Sequence, residues 1–219
     1  RIRHLVAGVT ASLQFLRAAS LAGADAVLVH HGWFWRGEDP CLVGLKHARL
    51  EVLMSARINL FAYHLPLDAH PAHGNNVQLA RHLGWPVSGR AGPGELVFYA
   101  DLQSPISADQ LGRLLGKRLG QKPLLVGDIG EPSAKRLSRL AWCTGGAQDY
   151  IDTAIDIRAD AFISGEISER TTHTAREAGL VYAAAGHHAT ERFGVQALGE
   201  AAASEFGLTY EFIDDPNPA

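Results

Sequence analysis

Cysteine, methionine and long apolar runs are scarce in this sequence of 219 residues. The two cysteines, Cys41 and Cys143, stand far apart and outside any metal-binding spacing. This argues against a disulfide framework or a cysteine zinc site and predicts a reducing, cytoplasmic compartment. No stretch approaches roughly 18 uninterrupted apolar residues, so we expect no membrane span. No signal-peptide pattern is visible; because the only methionine is Met54 and the first residue is Arg1, we expect the N-terminal segment, with any leader, to be missing.

Excess positive charge is also absent. The sequence has 20 Lys and Arg against 23 Asp and Glu, a formal net charge of −3 with histidine neutral. A protein that binds nucleic acid in bulk needs a basic face, and this balance gives no electrostatic support for one. The length and the 47% hydrophobic content allow one large α/β domain or two small ones. Histidine, by contrast, is abundant: there are 11, several of them clustered.

Strand-like and helix-like segments alternate toward both ends of the sequence, which predicts an α/β fold with mostly parallel sheets flanked by helices. The middle section interrupts this order with a β-α-β-β run. We predict two closely interlinked halves, residues 1–92 and 93–219, with that run in the second half. The predicted strands are 3–9, 26–30, 58–63, 95–102, 123–127, 137–143, 160–164, 180–185 and 208–213, and the predicted helices are 11–22, 43–56, 77–83, 107–119, 147–157, 168–178 and 190–205.

The two halves resemble copies of one α/β unit. Residues 8–32 align with 143–167 at an offset of 135, and Ala-Asp-Ala opens a strand in both. Residues 58–68 align with 181–191 at an offset of 123. The difference in offset falls in or near a tryptophan-rich loop that the second copy lacks. The shared order of weak matches predicts an internal duplication, in which His64 falls on His187 and Asp68 on Glu191.

The candidate site is a set of histidines and carboxylates at the carboxyl ends of strands, where open α/β sheets bind ligands. His30 and His31 end an apolar strand, and adjacent strand residues can face one site only where the strand ends and the backbone twists, which Gly32 allows. In each copy a histidine precedes a carboxylate by four residues, a spacing that places both on one helix face. Such nitrogen and oxygen ligands suit Zn, Mn, Fe or Ni, and two nearby ions fit the adjacent histidines better than one.

Each of these features has a structural alternative. His30 and His31 fit a hydrogen-bonded pair at a strand end, and His64 and Asp68, with Pro66 between them, fit an ordinary turn. Glu191 fits a solvated acid in a first helical turn. Surface or packing positions are expected for the other histidines singled out, which are His47, His70, His73, His82 and His173. We expect the aromatic residues 33–35 to anchor the loop to the core or to a subunit interface.

Seven segments together resemble the Nif-three-like family, dinuclear-metal-centre proteins that include the GTP cyclohydrolase I type 2 homologues. In chain order they are GVTAS, ADAVLVHHGWFWRG, INLFAYHLPLDAHPAHGNN, AWCTGGAQDYID, ADAFISGEISERTTHTAREAGL, AAGHHATERFG and FIDDPNP. The resemblance runs from Ile2 to Ala219 and is closest to the short bacterial members, which lack the large inserted domain of longer relatives.

The resemblance implies two divalent metal ions per subunit, of unknown identity, and a ring-shaped homohexamer. The metal ligands it implies are His30, His31, Asp68, His187 and Glu191, with Glu191 bridging the ions. His64 and His188 then become supporting or acid/base residues, which are the predicted catalytic pair.

The predicted activity is hydrolysis of a purine-nucleotide ring or of a related cyclic C–N bond, as in a GTP cyclohydrolase. Members of the family have been linked both to purine-ring hydrolysis and to binding of partner proteins. The alternative is therefore a metal-stabilised ring that binds a protein or a nucleotide without turnover. An open coordination position and an acid/base group within reach would favour the enzyme, and a site closed by protein ligands would favour the alternative.

Overall fold

The structure, a computed structural model, describes residues 1–127 and 135–219. Contacts within the described chain divide it into two compact units. The first unit consists of Arg1–Leu67 with Gly194–Pro216, and the second consists of Asp68–Phe193 with Asn217–Ala219. This division differs from the predicted pair of contiguous halves at residues 92 and 93, because the chain returns to the first unit near its end.

The first unit is built on a four-stranded, fully parallel sheet in the order β10-β1-β2-β3. Its elements in chain order are β1 (His4–Thr10), α1 (Leu13–Leu21), β2 (Ala26–His31), α2 (Gly44–Ala56), β3 (Asn59–Ala62), the start of α3 (Leu65–Ala69), most of α8 (His187–Phe206) and β10 (Thr209–Phe212). Because β10 pairs with β1, the segment 194–216 belongs with the N-terminal strands.

The core of the first unit lies on both faces of its sheet, since side chains alternate along each strand. Val27 and Val29 of β2 pack with Phe15 of α1 on one face. Ala26 and Leu28 pack on the other, in a cluster that contains Val195 and Leu198 of α8. A strand buried on both faces reads as a continuous apolar run, which explains the sequence of β2.

The second unit contains a six-stranded mixed sheet in the order β4-β5-β7-β8-β9-β6. Its elements are α4 (Asn75–Leu83), β4 (Gly89–Ala91), β5 (Val97–Ile106), α5 (Ala108–Leu119), β6 (Leu124–Gly127), β7 (Leu137–Trp142), α6 (Ile151–Asp156), β8 (Ala161–Ser164), α7 (Glu169–Glu177) and β9 (Val181–Ala184), with short 3-10 turns at Pro93–Glu95 and Gln148–Tyr150. Strands β7, β8 and β9 are parallel, and the pairings of β4, β5 and β6 are antiparallel.

The predicted α/β fold with two similar halves and mostly parallel strands is confirmed. Each unit has three consecutive parallel neighbours, β1-β2-β3 and β7-β8-β9. Asp25 accepts hydrogen bonds from the backbone N–H groups of Arg3 and His4 at 2.7 and 3.0 Å. Asp160, 135 positions later, accepts from Ser138 and Arg139 at 2.8 and 2.9 Å.

The structure shifts the second half of the predicted repeat alignment by one residue. Ala26 pairs with Asn59 between β2 and β3, and Ala161 pairs with Val181 between β8 and β9. The strand offset is therefore 122 and not 123, which pairs His64 with Gly186 instead of His187. A histidine near each third strand is still common to both copies, but the two do not occupy equivalent backbone positions.

The predicted elements begin and end within four residues of their observed bounds, with Ile106 rather than residue 102 at the end of β5. Helix α3 and strand β4 were not predicted, because each is five residues or shorter. Helix α8 begins at His187, three residues before its predicted start, so His187 and His188 belong to its first turn. Among the described residues, no helix is both long and apolar enough to cross a membrane.

Candidate metal centre

Strand β2 ends on the two adjacent histidines. His30 is fully buried and His31 is half-buried. On a regular strand the two would face opposite sides, yet their ring centroids lie 4.5 Å apart. Gly32 allows the chain to pass close to β3 here, because a Cβ atom at Gly32 would lie 2.7 Å from the Cβ atom of Ala62. The two imidazoles therefore converge where the strand ends, as the sequence predicts.

The Nδ1 atom of each histidine forms a hydrogen bond to another residue of the first unit. Nδ1 of His30 donates to the backbone oxygen of Tyr63 at 2.8 Å. Nδ1 of His31 is hydrogen-bonded to the hydroxyl of Thr10 at 3.1 Å. Metal-binding histidines are typically oriented by such a bond on the nitrogen that does not bind the ion. The arrangement leaves Nε2 of each ring as the atom that would hold a metal.

His64 brings a third imidazole to the same place. Its ring centroid lies 5.0 Å from that of His30 and 5.4 Å from that of His31. One nitrogen from each of the three rings lies within 4.8 Å of the others, close enough for a shared ion. The indole of Trp35 packs edge-on against the His64 ring, with ring centroids 4.8 Å apart. The predicted acid/base residue thus stands directly beside two of the predicted ligands.

In the second unit, Asp68 is held by buried amides. Oδ1 of Asp68 accepts from Nδ2 of Asn75 at 2.8 Å, and Nδ2 of Asn76 donates to the backbone oxygen of Asp68 at 3.2 Å. Both asparagines are fully buried at the start of α4. Oδ1 of Asn76 also accepts from the backbone N–H of Thr144 at 3.0 Å. These bonds fix a buried carboxylate in one orientation, which is what a metal ligand requires.

His187 and Glu191 face each other across the first turn of α8. Nε2 of His187 lies 3.1 Å from Oε2 of Glu191, as the i,i+4 spacing predicts. Nδ1 of His187 lies 2.7 Å from Oε1 of Glu166, a residue of the short loop between β8 and α7. The Glu191 side chain is almost fully buried, so the alternative of a solvated helix-start acid is excluded.

The carboxylates around His187 favour its protonated form. The hydrogen bond to Glu191, followed by the charge of Glu191 and the bond to Glu166, raises the pKa of His187 to about 9 although burial acts in the opposite direction. A histidine binds a metal ion only when it is neutral at the ligating nitrogen, so an ion that binds here displaces a proton.

The close approach of Gly145 limits what can surround this pair. A Cβ atom at Gly145 would lie 2.0 Å from Oε1 of Glu191 and 3.1 Å from Nε2 of His187, and its φ of +70° also favours glycine. The backbone thus leaves room for these two side-chain atoms and for no side chain at position 145. The donors, imidazole nitrogens and carboxylate oxygens without thiolate, fit the metals expected from the sequence.

Three of the histidines expected at surface or packing positions occupy such positions. Nδ1 of His70 accepts from the backbone N–H groups of Ala72 and His73 in a turn. His82 stacks on Phe193 with ring centroids 4.3 Å apart. His173 pairs with Glu169 on the exposed face of α7. His188, the second predicted acid/base residue, is buried in the first turn of α8, and its assigned role stays a prediction.

Three polar residues of these arrangements were not singled out from the sequence. Asn75 and Asn76 belong to the segment HGNN, which indicates a turn before a helix and hides the fact that both amides are buried. Glu166 lies in the segment SGEIS. The repeat alignment could have identified it, because the offset of 135 aligns Glu166 with His31.

Comparison with known proteins assigns the whole chain to one family. The family model for Duf34/NIF3 (NGG1p interacting factor 3) matches residues 1–218. A Pseudomonas aeruginosa protein named GTP cyclohydrolase 1 type 2 homolog is 53% identical over 222 residues, covering 100% of this chain and 86% of the relative.

Two solved structures show the same fold over the full chain. Protein ybgI, a structural-genomics target described as of unknown function, superposes with a TM-score of 0.94 at 50% identity and covers 100% of this chain and 87% of its own. The protein TTHA1606 from Thermus thermophilus gives a TM-score of 0.89 at 34% identity, with 100% and 86% covered.

Proposed function

The chain belongs to the Duf34/NIF3 family, and from that membership and the geometry of its histidines we propose that it is a metal-dependent hydrolase. It opens the ring of a purine nucleotide, or it hydrolyses a C–N bond in a related cyclic compound. The observation that carries the proposal is the convergence of His30, His31 and His64, one ring nitrogen of each lying within 4.8 Å of the others. The name of its relatives, GTP cyclohydrolase 1 type 2 homolog, supports the choice of substrate class.

In this proposal two divalent ions are held by the ligand set His30, His31, Asp68, His187 and Glu191. Bound ions would supply a Lewis acid and a water molecule that is acidic near neutral pH. The residues of the chain orient these ligands: Tyr63 and Thr10 hold the two strand-end imidazoles, and Asn75 holds Asp68. This support is what a site needs in order to keep fixed geometry through a reaction.

Proton transfer falls to His64 and His188. An acid/base group must reach the reacting atoms directly or through one water molecule. The ring of His64 lies close to the proposed ligands, because it contacts the rings of both strand-end histidines. His188 follows the ligand His187 in the same helical turn. We propose that one of the two protonates the leaving ring nitrogen.

Turnover of a purine-nucleotide panel by metal-reconstituted protein tests the activity. We expect ring opening of at least one guanine nucleotide, seen as loss of the purine absorbance, with metal-stripped protein as the inactive control. His64→Ala should lower kcat more than metal content, because it removes a proton carrier. No turnover by protein that holds its metal would instead support the non-enzymatic alternative, a ring that binds a protein or a nucleotide.

Association into a homo-oligomer, which we expect to be the hexamer implied by the family, is supported by the loop after β2. Trp33 turns inward and donates from Nε1 to the backbone oxygen of Ala11 at 3.0 Å. Phe34 and Trp35 remain 59% and 47% exposed. The backbone N–H groups of both residues donate hydrogen bonds to Oε2 of Glu38. These bonds fix the loop in a conformation in which the two aromatic side chains are exposed. Exposed aromatics held in place are typical of interface cores.

Light scattering coupled to size exclusion checks this association. We expect a mass several times that of one chain, 23.5 kDa, at concentrations from low micromolar upward. Phe34→Ser should lower the assembled fraction because Phe34 contributes apolar area without touching a ligand. A monomer mass that is independent of concentration would contradict the proposal, and the loop would then be a surface of the monomer alone.

A further inference from the structure

We propose that Glu166 is a positioning residue of the metal centre, which fixes the orientation and tautomer of His187. The inference rests on the proposed metal-binding function. Its main observation is the distance of 2.7 Å between Oε1 of Glu166 and Nδ1 of His187, with Nε2 of the same ring 3.1 Å from Oε2 of Glu191. The two carboxylates thus hold opposite sides of one imidazole.

The bond to Nδ1 determines which nitrogen of His187 can hold an ion. A carboxylate that accepts from Nδ1–H keeps the proton on that nitrogen and leaves the lone pair on Nε2. Nε2 is the nitrogen on the side of Glu191 and of the Gly145 backbone. Glu166 therefore directs the ligating atom toward the buried carboxylate, and its negative charge increases the basicity of the ring.

The backbone of Glu166 is anchored independently of its side chain. The hydroxyl of Tyr182, a fully buried side chain of β9, donates to the backbone oxygen of Glu166 at 2.6 Å. The preceding residue, Gly165, donates from its N–H to the backbone oxygen of Gly145 at 2.8 Å. A Cβ atom at Gly165 would lie 2.6 Å from the Cα atom of His187. The loop after β8 is thus packed directly onto the start of α8, so Glu166 occupies a defined place.

The internal duplication gives a second, independent argument. Strands β2 and β8 both open on Ala, at Ala26 and Ala161, and pair in the same register with their neighbours. Five residues after that alanine stands His31 in the first copy and Glu166 in the second. Each of them contacts the histidine that follows the third strand of its own unit. The repeat has therefore kept a polar residue at this position, a histidine in one copy and a carboxylate in the other.

Zinc affinity of metal-stripped protein, measured by calorimetry, tests the assignment. We expect Glu166→Ala to weaken zinc binding by about 10- to 100-fold, the usual cost of losing such a support. Glu166→Gln keeps an oxygen that can accept from Nδ1–H, so it should fall between Glu166→Ala and the unchanged protein. The matched control is Glu169→Ala, which removes another carboxylate that bonds a histidine, His173, on an exposed helix face; its zinc affinity should be unchanged.

A spectroscopic readout covers the case in which Glu166→Ala does not fold. In the zinc-loaded, unsubstituted protein, nitrogen chemical shifts should show His187 protonated at Nδ1 and bound through Nε2. Ligation through Nδ1, or wild-type zinc affinity in folded Glu166→Ala, would overturn the role of Glu166 and leave the hydrolase proposal intact. Failure of the unsubstituted protein to bind zinc, manganese or iron would overturn both.

Discussion

Glu191→Gln is expected to lose metal almost completely. Glu191 is nearly fully buried, and its Oε2 lies 3.1 Å from Nε2 of His187. In the proposed site it would bridge both ions. Replacing the carboxylate by an amide would remove a negative charge that compensates the two cations of the proposed site. We expect zinc or manganese affinity to fall by more than about 100-fold, beyond the range for losing a supporting group. Elemental analysis after reconstitution, beside calorimetry, measures this directly.

The controls for Glu191→Gln are His70→Ala and His173→Ala. Both remove imidazoles that take structural positions, one in a turn and one on an exposed helix face. We expect the unsubstituted protein and both control variants to retain about two ions per chain. Equal metal content in all the variants would refute the assignment of Glu191, and absence of metal from the unsubstituted protein would remove the metal centre altogether.

The parts of the site that could be predicted from the sequence are those that follow from local geometry. His30 and His31 end an apolar run, and strand periodicity alone shows that they can converge only at a strand end. His187 and Glu191 are four residues apart, so any helix that includes both places them on one face. These relations depend on a few consecutive residues, and the structure contains both of them.

The parts that could not be predicted depend on contacts between distant segments. Asn75 and Asn76 look like turn residues, and only the packing of α4 against the loop at Thr144 makes them buried supports. Glu166 and His187 are 21 residues apart in sequence. The one-residue error in the repeat alignment has the same origin. Strand register is set by pairing with β2 and β8, and a match between histidines cannot reveal it.

The fold shows the same difference between features set by neighbouring residues and features set by distant contacts. The α/β alternation is local, and so is the start of α5, where Ser107 and Gln110 form a complete capping box. The division into units is not local. Segment 194–216 joins the first unit through the pairing of β10 with β1 and through Val195 in its core, neither of which a linear reading can supply.

Gly145→Ala should weaken metal binding although it replaces no proposed ligand. The new methyl group would lie 2.0 Å from Oε1 of Glu191, far inside van der Waals contact. The backbone cannot easily yield, because the N–H of Gly145 donates to the hydroxyl of Thr190 at 3.1 Å and its carbonyl accepts from Gly165 at 2.8 Å. Glu191 must therefore move, and we expect zinc affinity to fall by at least about tenfold.

Gly145→Ala combines backbone strain with displacement of Glu191. Gly120→Ala is the control that introduces the backbone strain alone. Gly120 ends α5 with a φ of +74°, close to the +70° of Gly145, but a Cβ atom there meets nothing within 4 Å. A left-handed conformation costs alanine about 1–2 kcal/mol, so both variants should lose a comparable amount of stability in urea unfolding from this source. Only Gly145→Ala should also lose zinc. If it kept wild-type affinity, the carboxylate beside Gly145 would not be holding the ion, because a ligand displaced by a methyl group cannot keep the coordination geometry that tight binding requires.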